Sequence, residues 1–326
     1  MNRALAYLKT IAASIAQRTV QIGERVRLDA SVLDRSDAMT LAPPGLISAN
    51  GSARMIKTKD GWIAANLPRE EDLQSVPALL QAEADADAWS MLAAHAPNWY
   101  SNELAAQAAL LGLAVARIGE TPATRAPCKI EAMAPARARK KPRVIDFSSL
   151  WAGPLCGAVF ASMGADVVKI ESIERPDTTA HATPLLDQRL NGAKQRKQIS
   201  IASGAADLLT EIAQSDMLIT GARARALNSL GLTRERVFAA NPALIWVAIT
   251  GHGWDSNRIA FGDDAAASGG LVKHHDSEPH FIGDAIADPL TGLAAADAAL
   301  AALQQGHGAF IDAALARTAY AAAIAP

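Results

Sequence analysis

Cysteine is scarce. The 326 residues hold two, Cys128 and Cys156, far apart and with no second pair at metal-ligand spacing. That excludes a disulfide framework and a thiolate zinc site, and it makes a reducing cytoplasm the expected setting. Cys156 reads as a buried small hydrophobe and Cys128 as a linker residue, with a reactive thiol the alternative at either position. Charge of one sign is also missing: at a net charge of −2 there is no basic field to gather nucleic acid and no acidic excess to favour disorder. No run reaches the roughly 18 apolar residues of a membrane span. The opening stretch places Leu5, Leu8, Ala12 and Ile15 at helical spacing among Lys9, Gln17 and Arg18, as in an amphipathic helix and not a signal peptide. Neither nucleic acid nor a membrane is an expected partner.

Several signatures of chemistry are absent as well. The strand Val144–Phe147 leads into Leu150-Trp151-Ala152-Gly153-Pro154-Leu155-Cys156-Gly157, which is not a Gly-x-Gly-x-x-Gly dinucleotide turn, and neither a Walker loop nor a Gly-x-Ser-x-Gly elbow occurs. His274, His275 and His280 with Asp276 nearly make a zinc set, but neighbours in a polar turn rarely converge on one ion, so no metal is expected. Asp263-Asp264 reads as a helix start, not as a paired acid site.

What is present is an apolar half, enough for one large core or two moderate ones, and the length favours two domains. Residues 1–120 read as a small α+β domain. It has a short strand at Val26–Asp29, a Gly/Pro loop from Ala42 to Ser52, a hairpin turning on Asp60-Gly61, and helices about 70–83, 86–95 and 101–113. Periodicity stops over 121–142, a linker with the basic cluster Arg137, Arg139, Lys140, Lys141 and Arg143 at its end. Residues 143–326 alternate strands and helices, beginning with one βαβ unit of about 28 residues, which predicts an α/β fold: a Rossmann-like, mostly parallel sheet with helices on both faces.

The stretch Phe281-Ile282-Gly283-Asp284-Ala285-Ile286-Ala287-Asp288-Pro289-Leu290-Thr291-Gly292 sets a carboxylate where a strand-like run gives way to an alanine-rich helix over 290–303. Locally, Asp288 has two readings. Aspartate is a preferred N-cap, and proline after it suits a first turn; the other reading is a carboxylate that does chemistry. The Gly153-Pro154 turn with the helix after it is a candidate anion site through backbone donors.

Five segments together resemble the family III CoA-transferases, the group that includes formyl-CoA transferase and α-methylacyl-CoA racemase. They are Val144–Phe147 through Ala152-Gly153-Pro154; Met163–Glu171; Leu227–Gly231 with Asn241–Ile245; Ala287-Asp288 through Gly292; and Gly306-His307-Gly308 with Ile311-Asp312. Their order over about 180 residues makes the likeness specific by consistency. The resemblance implies an enzyme moving CoA between an acyl-CoA and a free carboxylic acid, with Asp288 as nucleophile, acyl-CoA and acid as substrates, and no permanently bound cofactor. It places CoA along Trp151, Ala152, Gly153 and Pro154, with Lys194, Arg196, Arg223 and Arg225 as candidate phosphate partners. The N-terminal block is similar to the family's small domain, with Gly45 to Gly51 as the substrate loop and Asp60-Gly61-Trp62 as the hairpin. Family members carry that domain after the large one, so the reversed order sets a plain homodimer or a mixed complex beside the family's interlocked dimer. Departures include Trp151 where formyl-CoA transferase has Gln, and the lack of the racemases' His within Ala260–Asp264, which removes one base of an α-carbon racemisation. An epimerase or isomerase of the same fold and a catalytically silent subunit are the alternatives.

Overall fold

The structure, a computed structural model, describes residues 1–84, 86–124, 126–136, 141–201 and 206–326. Strands β1 (Ala53–Lys57), β2 (Trp62–Asn66) and β3 (Ala114–Arg117) form an antiparallel sheet in that order. The Asp60-Gly61 turn closes its hairpin, with the Thr58 N–H donating to Gly61 O at 2.9 Å. Short helices bury Leu79, Leu80, Met91, Leu92 and Leu104 against Ile56, Ile63 and Val115, a small core of its own.

The large sheet contains β4 (Cys128–Pro135), β5 (Arg143–Phe147), β6 (Asp166–Ser172), β7 (Gln195–Ile199), β8 (Met217–Thr220), β9 (Ile245–Thr250) and β12 (His307–Ala314), with β10 (Lys273–His275) and β11 (Glu278–His280) as a separate hairpin. Its order is β4-β12-β9-β8-β5-β6-β7, parallel throughout except for β4 against β12. The central strands are continuous apolar runs because helices cover both faces; Ile145, Leu218, Ile219, Trp246 and Val247 are fully buried. From β5 the chain runs outward through β6 and β7, then returns to build β8, β9 and β12 on the other side. The strand order therefore reverses between β5 and β8, and the crevice beyond their carboxyl ends is where such sheets bind ligands.

Two expected boundaries shift. Helix Asn2–Ile22 belongs to the large body: Ala4, Leu8, Ile11 and Ile15 enter its core, and Ser14 and Arg18 bond Asp297 at 2.6 and 2.9 Å. The expected linker contains β4, an antiparallel edge strand of the large sheet. Val26–Asp29 forms no strand; Val26 packs into the large core instead. Arg137, Arg139 and Lys140 lie outside the described residues, while Arg143 pairs with Glu211 at 2.5 Å. Among the described residues no helix is long and apolar enough to cross a membrane.

Helix Ala287–Gln305 crosses helix Ala152–Ser162 at Gly292, where a Cβ would stand 2.4 Å from Ala152 O. Only glycine permits that approach, and it brings the two helix N-termini to one end of the sheet.

Candidate active site

Four turns meet beyond the carboxyl ends of β5, β8 and β9 around a cleft of about 1310 Å³, its open mouth included. Its lining includes Ser149 to Gly153, Gly221 to Ala224, Thr250, Trp254, Phe261 and Asp288. Trp151, Ala152, Gly153, Arg223 and Asp288 thus line one cleft.

Asp288 does not cap its helix. The N-cap is Ile286, and Asp288 lies inside the first turn, its N–H donating to Ala285 O at 2.9 Å. The side chain is left free to face the cleft. Ala285 sits in the left-handed region at φ +44°, and this tight turn is packed under helix Gly262–Ser268. A Cβ on Gly262 would stand 2.2 Å from Ala285 O, so glycine is required there too. Burial pushes the Asp288 carboxyl up to about 7; Arg35 opposes the shift, Asp263 and Asp284 add to it, and a hydrogen bond from the Gly262 N–H works against it.

A network of buried groups surrounds that carboxylate. Asp263 accepts from the Ala285 N–H at 2.8 Å and from Asn50 at 2.9 Å, and Asn50 also donates to Asp284 at 2.7 Å. Asp264 accepts from the Phe261 N–H at 2.9 Å and from Asn66 at 3.1 Å. Desolvation pushes Asp263 up to about 6, with the Asp284 charge adding to it, and pushes Asp264 up to about 8. These two are more than a helix start.

The turn that presents Trp151 is braced from below by two buried lysines. Lys169 donates to Ser148 O and to Asp177 at 3.0 Å, and Asp177 in turn accepts from the Leu150 N–H at 3.3 Å. Lys194 donates to Asp146 at 2.7 Å, to Pro154 O at 2.7 Å and to Asn191 at 2.8 Å. Lys194 is therefore spent beneath the cleft, not in it, and Pro154 is buried with it. Arg196 is tied to Glu171 and Asp187 at 3.1 and 2.5 Å, away from the cleft. Arg225 lines a shallow hollow on the far side of Trp254.

The cations that do face the cleft are Arg69, Arg175, Arg223 and Arg258. Arg69 and Arg258 are paired with Asp72 and Glu120 at 2.6 and 2.5 Å, whereas Arg175 and Arg223 have no acidic partner among the described residues. Sequence reading missed Arg175, although it follows the end of β6, on the ligand side of a parallel sheet. Gly45 and Gly51 flank Asn50: the Gly45 carbonyl accepts from the Phe281 N–H at 2.9 Å, and Gly51 turns the loop at φ +81°. Neither glycine lines the cleft itself. His275 and His280 stack on the exposed hairpin, and no group of three or more His, Cys, Asp and Glu among the described residues is arranged to hold a metal ion.

Residues 140–325 match CoA-transferase family III. The chain belongs to that family. The succinate–glutarate CoA-transferase of Agrobacterium fabrum is 32% identical over 198 residues, covering 53% of this chain and 50% of that protein. The formyl-CoA:oxalate CoA-transferase of Escherichia coli O6:H1 is 30% identical over 176 residues, 49% of this chain and 42% of the relative. A solved CAIB/BAIF family protein from Brucella suis superposes with a TM-score of 0.51 at 28% identity, covering 57% of this chain and 55% of its own. The chain spans about half the length of the curated relatives it matches. Asp288, Trp151, Asp263 and Asp284 fall within the family III stretch, while Arg35 and Asn50 lie outside it.

Proposed function

We propose that this chain moves CoA between an acyl-CoA and a free carboxylic acid, and that Asp288 is the group that is acylated. The observation that carries the reading is the Asp288 carboxylate in the cleft at the strand-order reversal, whose lining also includes Arg175 and Arg223, without an acidic partner among the described residues. An Asp288 oxygen attacks the thioester carbonyl carbon, the C–S bond breaks, and CoA leaves as thiolate from a mixed anhydride. The thiolate then attacks the aspartyl carbon and releases the donor acid as a carboxylate, leaving an aspartyl-CoA thioester. An acceptor carboxylate attacks that thioester, and the thiolate attacks the acceptor's acyl carbon in the new anhydride. Acyl-CoA forms and Asp288 is regenerated.

The oxyanion donors in this reading come from the other helix. The Asp288 N–H is already committed to Ala285 O, and Pro289 has none. Ala152 and Gly153, in the first turn of helix Ala152–Ser162 and in the cleft lining, carry N–H groups without intrahelical partners. Arg175 and Arg223 are assigned to the CoA phosphates in place of Lys194 and Arg196.

A chemical trap tests the proposal. Incubation with succinyl-CoA as probe and hydroxylamine is expected to leave a hydroxamate at Asp288, located by peptide mass, and Asp288→Asn is expected to fold normally but lose transfer. Full turnover by the Asn variant overturns the covalent route. A second reading, one subunit of a mixed complex, has one observation in its favour: the succinyl-CoA–L-malate CoA-transferase beta subunit of Chloroflexus aurantiacus is 33% identical over 193 residues. CoA binding without any hydroxamate at Asp288 would favour it.

A further inference from the structure

The segment before β1 sends two side chains into the turn that ends at Asp288. Arg35 grips Asp284 as a fork, Nε on one oxygen and Nη2 on the other at 3.1 Å, with 17% of the arginine side chain and 5% of the aspartate exposed. Its Cζ also lies 5.0 Å from the ring centroid of Trp151, a wall of the cleft. Asn50 ties the same Asp284 to Asp263. Asp284 opens the tight turn through Ala285, so the fork holds the backbone that aims Asp288. Three carboxylates crowd this loop, and a planar guanidinium pre-set by Trp151 is fixed against them.

We propose that Arg35 is a positioning residue: through Asp284 it locks the turn that aims Asp288 into the cleft, and its charge offsets part of the burial and carboxylate repulsion that disfavour the Asp288 carboxylate. The groups facing Asp288 are Asp284 from its own turn, Asp263 from helix Gly262–Ser268, and Arg35 from the N-terminal segment; Arg69, Arg175, Arg223 and Arg258 lie around the same cleft. Without Arg35, Asp284 and Asp263 would act on Asp288 uncompensated, and the carboxylate form would be lost at higher pH than in the native chain. The kinetic half of this inference rests on the acylation of Asp288; the electrostatic half does not.

The experiment titrates Asp288 by carbon-13 carboxyl NMR in aspartate-labelled protein, with the resonance assigned through Asp288→Asn. Arg35→Gln, which keeps hydrogen-bond donors for Asp284 but no charge, is expected to raise the midpoint by about one unit or more. Arg35→Lys keeps the charge but not the fork, and its midpoint is expected to stay near the native one. Hydroxylamine trapping with succinyl-CoA is the second readout. The Gln variant's rate profile should move to higher pH by the same interval, whereas the Lys variant should lose plateau rate without displacement. A folded Gln variant with an unmoved midpoint overturns the electrostatic role, and a Lys variant with native plateau overturns the positioning role. Should the Gln variant fail to fold, the Lys variant decides on its own: a midpoint that rises despite the retained charge, or a native plateau, overturns the proposal. Native protein whose Asp288 titrates but is never trapped sinks the transferase reading, and the midpoint comparison still judges Arg35.

Discussion

At Asp264 the local environment favours the neutral acid. Both oxygens are removed from water; Oδ1 accepts two hydrogen bonds, while Oδ2 has no partner among the described residues. Its folded value of about 8 lies far above that of an unfolded aspartate. Between those values the folded chain holds a proton that the unfolded chain has lost, so the stability this group confers is present at low pH and falls as pH rises through about 8. Asp288 acts in the same sense up to about 7. His252 works oppositely, because burial pushes it down to about 3, but its effect ends at the unfolded histidine value of about 6.5. The Met1 amino group, pushed down by burial, opposes the two carboxylates from a largely exposed position. The melting temperature is therefore expected to fall from about pH 6.5 to about pH 8. Asp264→Asn, which mimics the neutral acid, should flatten the fall and be the more stable protein at its alkaline end. A native melting temperature that rises across the interval, or an Asn variant with the native slope, contradicts this assignment.

The site depends on how closely two helices approach. Gly292→Ala would drive a methyl group into Ala152 O at 2.4 Å and against Leu155 Cβ at 3.1 Å, both on the helix that follows Trp151. A loss of about 1–3 kcal/mol in denaturant unfolding is expected, as for overpacking elsewhere. A larger fall in the trapping rate should accompany it, since Ala152 and Gly153 would retreat from Asp288. Native stability and native trapping would show that the crossing tolerates a methyl. The elements that set this geometry were legible in the sequence. β5, β6, β8 and β9 announce themselves as apolar runs, the hairpin by Asp-Gly, and the Ala287–Gln305 helix by Pro289 and its alanines. The sheet edges were not: β7 reads Gln-Arg-Lys-Gln-Ile and is mostly exposed, and β4 shows most of its residues to solvent, so neither carries a burial pattern. Asp288 drew two local readings, a cap and a reactive carboxylate, because aspartate before proline looks the same at the N-cap and two positions further in; the structure puts it in the first turn and not at the cap. Lys194 was misplaced because a buried lysine and a phosphate-binding one share a sequence. Arg35 and Asn50 could not be found at all, since their partners lie more than two hundred residues away.

At the scale of the molecule, the N-terminal residues and the large sheet of one chain together furnish the groups described around Asp288. The first helix packs on the helix that carries Asp288, the small sheet meets the large body through Ala53, Met55 and Ala64 against Ala267 and Phe281, and Asn66 of β2 reaches Asp264. Arg69 of the small domain and Arg258, held by Glu120 and the Val115 carbonyl, face the same cleft. The N-terminal segment thus closes on the large body of the same chain, bringing Arg35 and Asn50 to the turn that leads to Asp288. Mixing two defective chains distinguishes this from a site shared between subunits. Asp288→Asn lacks the proposed acyl acceptor and Arg35→Gln lacks the charge proposed to act on it, so in a cis-completed site each chain remains defective whatever it assembles with. Co-refolded mixtures are expected to show only the average of the two separate activities, measured at a pH where the Gln variant is impaired. If Arg35 of one copy served Asp288 of another, the mixture would instead contain sites with both native residues, and activity would rise above that average. Such a gain would show that the closure seen within one chain is exchanged between chains when the protein assembles.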